Sequence, residues 1–577
     1  NGSIRTGASG LSNVTGVVLG SGSTLTNNGV INISGTTSKG ALLKGGTIAN
    51  YVTITVSGAG SKETDSLNST PTTKVLGTIT INAPAGASTA TITANGVTVT
   101  PTVVKTAARN PITVSANSVG LYVNTSGKDY TRSITGLGNL TSEADLIIGT
   151  EAAQSTTSKY IQVNDNKILD PYNNAILSSG VSKWDIYSGS LTWITTPTLD
   201  PATGKVTNLY MAKVPYTEWA ADRNTYNFAD GLEQRYGVEA LGTKEKLNRI
   251  GNNEETLLFQ AYDEMMGHQY ANVQQRVQAT GKVLDKEFNY LRSKWQTASK
   301  DSNKLKTFGT RGEYKTETAG VIDYKYHAEG VAYVHENEDI KLGRGIGWYS
   351  GIVHNKIKFR DIGNSKEEQL QAKVGLYKSV PFDDNNSLNW TISGEVFAGR
   401  NKMDRRFLVV DEVFHAKSRY YNYGVGIKNE IGKEFRLSES ISLRPYGSLA
   451  LEYGRVSKIR EKSGEMKLEV KANDYISVKP EVGAELGFKH YFGTKSLKVG
   501  LGVAYENELG KVASVKNKAR VADTNSDWYN LRGEKEDRRG NVKFDLNLGL
   551  DNQRFGVTGN VGYDTKGENV RGGVGLR

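Results

Sequence analysis

Very few residue patterns in this chain are suited to catalysis or metal binding. The 577 residues include no cysteine, which excludes a disulfide scaffold and thiolate metal sites. The six histidines show neither an HExxH spacing nor a carboxylate cluster at ligand spacing; they are His268, His327, His335, His354, His415 and His490. The sequence has no GxSxG nucleophile elbow and no Walker A motif. We therefore expect no catalytic residue, no metal site and no cofactor.

One glycine-rich stretch, Gly343-Arg344-Gly345-Ile346-Gly347, superficially resembles a nucleotide-binding loop. We place it in the middle of a β-strand, where glycines would let a neighbouring helix approach the strand closely. This interpretation leaves no phosphate-binding role for the segment.

Several carboxylates could be mistaken for a general acid and base. Glu481, Glu485 and Asp545 are the clearest examples, but they share strand faces with cations, so we expect them to form ion pairs. The charges that we predict to line one common interior are Lys373, Glu395, Arg444, Glu452, Lys479, Glu481, Glu485, Lys543 and Asp545.

The strands that must position these charges alternate apolar and polar residues with a period of two. Three examples are residues 441–453, 497–506 and 542–551, in which glycine and charged residues sit opposite an apolar stripe. Such long alternating strands are typical of a membrane barrel with a water-filled interior, at about ten residues per strand. From Lys304 onward we predict twelve antiparallel strands that form an outer-membrane barrel over residues 304–577. No run of 18 apolar residues occurs that would suggest a membrane-spanning helix.

Upstream of the barrel, residues 244–303 change to a helical period of 3.6 and form a predicted helical linker. We expect Gly251, Gly267 and Gly281 to divide it into helices. The last, at about 282–299, would be long enough to cross the membrane inside the barrel. Its charges would be unfavourable in lipid and are suited to a pore; they are Lys282, Asp285, Lys286, Glu287, Arg292 and Lys294.

The first 130 residues contain short β-branched runs separated by Gly, Asn and Ser, with only seven charged residues among the first hundred. Runs spaced by roughly 15 to 26 residues predict coils of a right-handed parallel β-helix. A disordered Ser/Thr/Gly stalk is the alternative. Residues 131–243 are richer in aromatics, and we predict a capping, autochaperone-like β segment and linker. The fold class is therefore mainly β: the end of a β-helix, then a twelve-stranded transmembrane barrel with a central α-helix.

Charge is distributed unevenly along the chain, which carries a net charge of +11. Residues 1–240 hold 16 Lys and Arg against 15 Asp and Glu, and the rest hold 55 against 45. Because these cations fall on strand faces, lumen lining and contact with acidic lipopolysaccharide explain them better than nucleic-acid binding. Residue 1 lies within the repetitive pattern and follows no leader, so we expect the C-terminal part of a longer precursor.

Three stretches closely resemble the conserved end of large fusobacterial outer-membrane autotransporter adhesins: residues 226–237 (YNFADGLEQRYG), 263–268 (DEMMGH) and 562–569 (GYDTKGEN). The resemblance covers most of residues 205–577, and the domain order resembles that of type Va, monomeric autotransporters. It implies a barrel that anchors and exports its own β-helical passenger to the cell surface, where the whole precursor acts as an adhesin in virulence. It also implies a monomer that meets outer-membrane lipid, lipopolysaccharide, barrel-insertion machinery, periplasmic chaperones and a host or bacterial surface ligand.

Two features depart from the family pattern. Family barrels end in an aromatic residue, whereas this chain ends in Gly575-Leu576-Arg577, and we expect a few residues to follow.

Some autotransporters cleave themselves between two asparagines within the pore. Here Asn252-Asn253 precedes the predicted pore helix by about 30 residues, and we interpret it as a helix N-terminus with acidic residues in the first turn. We predict no self-cleavage.

Two other functions remain open from the sequence. One is a surface enzyme, a protease or esterase, whose catalytic domain lies upstream of residue 1. The other is a nutrient porin, which would conduct strongly as the intact chain, whereas a barrel filled by a helix would conduct only after the helix is removed.

Overall fold

The structure is a computed structural model of the chain. It describes residues 144–577 except 165, 180, 182–183, 240, 294–302, 317, 536–538 and 553. Before residue 144 it describes segments 3–5, 12–20, 23–27, 30–34, 36–43, 47–50, 54–57, 62–66, 73–74, 79–82, 91–94, 97–100, 102–104, 108–113, 120–126 and 131–135. The predicted end of the pore helix at 294–299, including Lys294, lies outside the described residues. The chain divides into two compact units, each described by itself below.

The first unit comprises residues 1–265, 409–412 and 523–529. Its earlier strands are β1 (Ser3–Arg5), β2 (Thr15–Leu19), β3 (Thr24–Asn27), β4 (Val30–Ser34), β5 (Lys39–Leu43), β6 (Thr47–Asn50), β7 (Ile54–Ser57), β8 (Lys62–Ser66), β9 (Thr73–Lys74), β10 (Ile79–Asn82), β11 (Thr91–Ala94), β12 (Val97–Val99), β13 (Thr102–Val104), β14 (Ala108–Thr113), β15 (Gly120–Val123) and β16 (Thr131–Thr135).

The remaining elements of this unit mix strands and helices. They are β17 (Ala144–Ile148), α1 (Glu151–Gln154), β18 (Tyr160–Val163), α2 (Asn166–Ser178), β19 (Trp184–Ser188), β20 (Trp193–Leu199), β21 (Val206–Lys213), a 3₁₀ helix (Tyr216–Trp219), α3 (Arg223–Arg235), α4 (Thr243–Asn248) and α5 (Glu255–Met265).

The first nine strands form three parallel three-stranded sheets, ordered β1-β4-β7, β2-β5-β8 and β3-β6-β9. Ile31 lies opposite Ile54 and Lys39 opposite Lys62, a separation of 23 residues in both cases (54 − 31 and 62 − 39). Every third strand thus returns to the same sheet. Apolar side chains from these strands form a buried cluster of Leu19, Ile31, Ile33 and Ala41.

The segment predicted as a cap carries two kinds of sheet. Strands β15, β17 and β19 continue the parallel pairing, whereas β18, β21 and β20 are paired antiparallel. Trp193 and Tyr210 are among the largest fully buried side chains here, and the indole of Trp193 donates to Asn248 of α4 at 3.0 Å. Aromatic residues therefore build the core of this segment, where β-branched residues dominate upstream.

A buried ion pair lies between β21 and α3. The ammonium of Lys213 is fully buried, bonds to Glu233 and lies 3.4 Å from the ring centroid of Tyr216. Lys159 reaches the other oxygen of Glu233 at 2.6 Å. Burial lowers the pKa of Lys213 to about 8, although the charge of Glu233 opposes this shift. Burial would raise the pKa of Glu233, but the two ammonium groups outweigh it and lower that pKa.

We expect the first unit to become more stable between pH 7.5 and 9.5 because of Lys213. In the unfolded chain its pKa returns to about 10.4. In this window the unfolded state therefore binds more protons than the folded state, and the free energy of unfolding rises with pH. The melting midpoint of the full chain, followed by tryptophan fluorescence, should rise by a few degrees. Lys213→Met should lack this rise; equal pH slopes for the two proteins would contradict the assignment.

The second unit comprises residues 266–408, 413–522 and 530–577. Its elements are a 3₁₀ helix (His268–Tyr270), α6 (Val273–Arg292), β22 (Asn303–Tyr314), β23 (Tyr324–His335), α7 (Glu338–Lys341), β24 (Gly347–Phe359), β25 (Lys366–Pro381), β26 (Leu388–Val409), β27 (Glu412–Lys433), β28 (Phe435–Arg436), β29 (Ile441–Val456), β30 (Ile459–Gly464), β31 (Leu468–Val470), β32 (Asn473–Phe492), β33 (Lys495–Glu506), β34 (Lys518–Val521), β35 (Tyr529–Asn530), β36 (Asn541–Asn552), β37 (Gly556–Asp564) and β38 (Asn569–Leu576).

Twelve long antiparallel strands close into a barrel, which confirms the predicted strand number. They are β22 to β27, β29, β32, β33 and β36 to β38. Closure is made by β22 and β38, which pair from Leu305 opposite Leu576 to Arg311 opposite Val570. No helix among the described residues is long and apolar enough to cross a membrane.

Side chains alternate strictly along these strands. In β25, Leu370, Val374 and Leu376 are exposed on the outer surface, whereas Gln371 and Lys373 are buried inside. This confirms the period of two, with an apolar outside and a polar inside.

The connections differ between the two ends of the barrel. The longest connections, from β29 to β32 and from β33 to β36, define the long-loop end, and the tight turn 493–494 between β32 and β33 defines the short-turn end.

Two expectations about glycines are wrong. Helix α6 spans Val273–Arg292, so it starts about nine residues before the predicted 282 and continues through Gly281 without a break. Gly281 instead allows a close approach, because a Cβ there would lie 2.6 Å from the amide nitrogen of Gln371. Residues 343–346 lie between α7 and β24 and are not in a strand. Gly343 has a φ of +79°, which suits a turn.

Candidate functional site: the charged interior of the barrel

Helix α6 runs along the inside of the barrel wall. Its Val283, Leu284, Phe288, Tyr290 and Leu291 share a buried apolar cluster with wall residues of β22 to β25. Gly351 of β24 makes room for this face, since a Cβ there would lie 2.8 Å from a methyl group of Leu284. A helix of 20 residues is about 30 Å long, comparable to the apolar thickness of a bilayer. One face of α6 therefore packs as a core helix would.

The opposite face of α6 carries charges into a five-residue network at mid-barrel. Lys282 contacts Asp285 at 3.0 Å and Glu452 of β29 at 3.1 Å. Lys373 of β25 contacts Asp285 at 2.8 Å and Glu395 of β26 at 2.9 Å. Three carboxylates thus surround two ammonium groups, joining one helix to three strands. Tyrosine hydroxyls complete the shell: Tyr349 donates to Glu395 at 3.1 Å and Tyr475 to Glu452 at 2.8 Å.

The three carboxylates are close enough together to share a metal ion, with ligand atoms within 4.8 Å of one another. Lys373 is also 3.6 Å from Glu452, so a single ammonium group reaches all three acids. A cation already fills the position that a metal would take. The donor set therefore fits an ion-pair network better than a metal site.

Further ion pairs attach α6 to the wall along its length. Arg276 pairs with Glu367 of β25, Lys286 with Asp564 of β37, and Glu287 with Lys306 of β22. The helix charges thus meet opposite charges on widely separated strands. In addition, Asn355 of β24 donates to Thr280 at 2.8 Å.

Beyond the helix, the wall charges neutralise one another. Arg444 contacts Glu430 at 2.7 Å and Glu485 at 3.4 Å. Lys543 contacts Glu481 at 2.8 Å and Glu506 at 3.2 Å. Two further pairs are Lys479 with Glu506 at 3.8 Å and Arg571 with Asp545 at 2.6 Å. The acids that resemble a catalytic pair are therefore placed in ion pairs.

The N-terminal end of α6 is held by polar contacts within the second unit. Arg405 binds Glu461 through two nitrogens, at 2.7 and 2.9 Å, and the hydroxyl of Tyr270 donates to the same carboxylate at 2.9 Å. The side-chain amide of Asn517 donates to the carbonyl oxygen of Ala271 at 2.8 Å. The segment preceding α6 is thereby fixed at the long-loop end.

Comparison with known proteins identifies the barrel segment. Residues 304–562 match the family model of the autotransporter beta-domain. This segment is similar to autotransporter β-domains, and we refer to it below as the β-domain. With its closed twelve-stranded barrel, it locates the protein in the outer membrane, as predicted.

The β-domain is also similar to solved structures. The translocator domain of autotransporter NalP from Neisseria meningitidis is 12% identical, covering 53% of this chain and 97% of that chain at a TM-score of 0.38. The beta domain of the Bordetella autotransporter BrkA is 12% identical; the match covers 48% of this chain and 99% of that chain, with a TM-score of 0.34. The transport unit of the autotransporter AIDA-I from Escherichia coli is also 12% identical; the match covers 52% of this chain and 97% of that chain, with a TM-score of 0.32. No curated protein sequence matches the chain.

Of the interior charges named from the sequence, the structure places all nine wall residues inside the β-domain barrel. It places Lys282, Asp285, Lys286 and Glu287 on α6 facing wall charges, and the guanidinium of Arg292 over the rings of Tyr349 and Tyr377. Seven members of these pairs are not among the predicted charges: Arg276, Lys306, Glu367, Glu430, Glu506, Asp564 and Arg571. The strand alternation marks the six on the wall, whereas Arg276 lies before residue 282, where the helix is predicted to begin.

We predict that Lys373→Met destabilises the β-domain by roughly 3–5 kcal/mol, because it leaves three buried carboxylates with one ammonium group. The urea midpoint of unfolding, read from the gel mobility of folded and unfolded barrel, measures this. Lys378→Met, at an exposed position of the same strand, is the matched control and should change stability little. Equal midpoints for the two variants would show that the network contributes no net stability.

Proposed function

We propose that this chain is a type Va autotransporter that anchors and exports its own N-terminal segment, and that the whole precursor acts as a surface adhesin. The observation that carries the proposal is helix α6 inside an autotransporter β-domain. Its start, near Ala271 and Arg276, is bonded to residues of the long-loop end. Its last turn is bonded to the start of β22, through Lys304 and the carbonyl oxygen of Leu291 at 2.9 Å. The chain thus passes through the lumen in one direction.

The direction of this path sets the topology that we propose. Outer-membrane barrels have longer connections outside the cell than in the periplasm. With the long-loop end facing outward, the chain upstream of α6 continues at the cell surface. Residues 1–130 would then be the end of a displayed passenger, and residues 131–243 its cap. The parallel pairing at a 23-residue separation supports a β-helical passenger.

Folding outside the cell would drive export. Each coil presents strand edges to the next, so a folded cap can template successive coils and bias movement outward without a nucleotide. We infer that the mature chain is not an enzyme, because its interior acids are engaged by cations. The resemblance to type Va autotransporters supports a monomer. Insertion machinery and periplasmic chaperones would act before assembly, and a host or bacterial surface ligand would bind the passenger. The resemblance to fusobacterial adhesins supports the adhesin role.

Protease treatment of intact cells tests the topology. An antibody raised against residues 1–243 should lose its epitope without permeabilisation, whereas the barrel resists digestion. Cells that display the full chain should adhere to host or bacterial cells, and cells that display residues 266–577 alone should not. Protection of the epitope in intact cells would contradict surface display, and unchanged adhesion would contradict the adhesin role.

Single-channel conductance tests whether α6 closes the lumen. We expect the intact chain to conduct weakly and a variant lacking residues 273–292 to conduct strongly. Because removal of the helix could impair folding, a second variant joins Thr280→Cys to Asn355→Cys, whose native side chains are 2.8 Å apart. With no other cysteine present, the oxidised variant should keep the low conductance. Large conductance in the intact or cross-linked chain would favour a porin.

Self-cleavage remains excluded by our proposal. Asn252 and Asn253 lie in a turn before α5, and the side-chain amide of Asn252 donates to the carbonyl oxygen of Ser188. This contact engages the amide that would have to attack the backbone. A released fragment ending at Asn252 would contradict the proposal.

A further inference from the structure

The outer surface of the β-domain carries a cluster of cations on four neighbouring strands near the long-loop end. We call it the basic face; its residues are Lys325, Lys356, Lys358, Lys366, Arg400 and Lys402. All six are exposed, and the part of the chain that the structure describes offers none of them an ion-pair partner. Their strand neighbours at odd spacing, such as Ile357 and Met403, are buried, so the cations point away from the lumen.

Three of these lysines form one row across three neighbouring strands. Lys325 of β23 is paired with Lys358 of β24, and Lys358 with Lys366 of β25. Directly opposed residues have Cβ atoms about 4.5–5.5 Å apart, and like charges in such pairs destabilise a sheet. This row needs an anion to be favourable.

Nearby acids do not supply enough negative charge. The row is flanked by Glu313 and Asp404, each of which already pairs with an arginine: Glu313 with Arg360, and Asp404 with Arg406 at 3.2 Å. In the next row Glu368 lies between two further lysines of the basic face. Cations therefore outnumber the acids available to them.

The depth of the basic face matches that of lipid head groups. On the same strands, the outward residues toward the short-turn end are apolar and exposed, among them Ile352, Leu370, Val374 and Val396. The cations thus begin where the apolar belt ends, the level at which lipid phosphates lie.

The opposite side of the barrel carries different outward residues near the long-loop end. At the corresponding strand ends, the outward residues are Tyr505, Phe544, Tyr563 and Val570, all exposed. Aromatic and aliphatic side chains are usual at an interface. At these strand ends, therefore, apolar and aromatic side chains take the level that the cations occupy on the basic face.

We propose that the basic face binds the phosphate groups of the phosphorylated glycolipid, lipopolysaccharide, that forms the outer leaflet. Lysine ammonium groups donate charge-assisted hydrogen bonds to phosphate oxygens, and the adjacent apolar belt accommodates acyl chains. The inference rests on the outward orientation of the long-loop end given under Proposed function. It assigns a lipid site to one side of the barrel.

The test measures lipid binding by the purified full chain. Phosphatidylcholine vesicles carrying the protein receive increasing amounts of diphosphorylated lipid A, and retained lipid is quantified after extraction. Lys325→Gln with Lys358→Gln should weaken binding roughly 10- to 30-fold, about fivefold per lysine. Lys378→Gln with Lys495→Gln, exposed near the short-turn end, is the matched control and should change it less than twofold. An equal loss of lipid A binding in the two double variants would overturn the proposal.

Stability separates a binding defect from a folding defect. Without lipid A, the Lys325→Gln and Lys358→Gln protein should unfold at the same or higher urea concentration than wild type, because an opposed like-charge pair is gone. With lipid A, wild type should gain stability and this variant should not. A lower urea midpoint for the variant without lipid would mean that the lysines are structural, contrary to the proposal.

Three comparisons identify the ligand. Dephosphorylated lipid A should bind no better to wild type than to the variant. Phosphatidylglycerol should bind to wild type more weakly than lipid A does. Millimolar inorganic phosphate should not displace lipid A from wild type. Equal binding of phosphatidylglycerol, or displacement by free phosphate, would overturn the assignment to lipopolysaccharide. Protease accessibility of residues 1–243 is read independently, so surface display without lipid A binding would refute this inference alone.

Discussion

Everything in the second unit depends on one constraint, that each backbone N–H and C=O group within the bilayer must find a partner in the protein. An unpaired group in lipid costs several kcal/mol, so the first and last strands have to meet. The pairing of β22 with β38 meets this requirement. Closure also divides every strand into two sets of side chains, one facing lipid and one facing the interior. The interior set is polar, so its charges must be neutralised in a confined space.

Helix α6 supplies charges that neutralise those of the interior. Its apolar face packs on Tyr349 and Val353, whereas its charged face meets Lys373, Glu452 and Asp564 on different strands. Buried ion pairs contribute little net stability over apolar contacts, but a mismatched charge is costly. The pairs therefore specify the height and rotation of the helix in the lumen, while the apolar contacts supply most of the favourable burial. The glycines at 281 and 351 let the helix and the wall come close enough for both.

The strand pattern was predictable because alternation with a period of two is local and is required by the two environments. Twelve strands and a polar interior follow from it, and the central helix follows from the 3.6-residue period of the segment upstream. The boundaries of the helix do not follow from the sequence, because Gly281 is unfavourable in an isolated helix by about 1 kcal/mol and therefore predicts a break. Packing against β25 outweighs that propensity. Residues 343–346 differ from the prediction for a similar reason, since glycine marks both turns and close approaches.

The sequence by itself determined which residues face inward, the mainly β architecture, and the compartment, because each follows from side-chain periodicity that is read one segment at a time. It also indicated that the helix charges belong in water or among counter-charges. Only the tertiary structure decided which acid meets which base, that one lysine joins Asp285, Glu395 and Glu452, and that three lysines align across β23, β24 and β25. The physical reason is that register between strands, and the height of the helix among them, are set by closure of the whole barrel and not by any local segment.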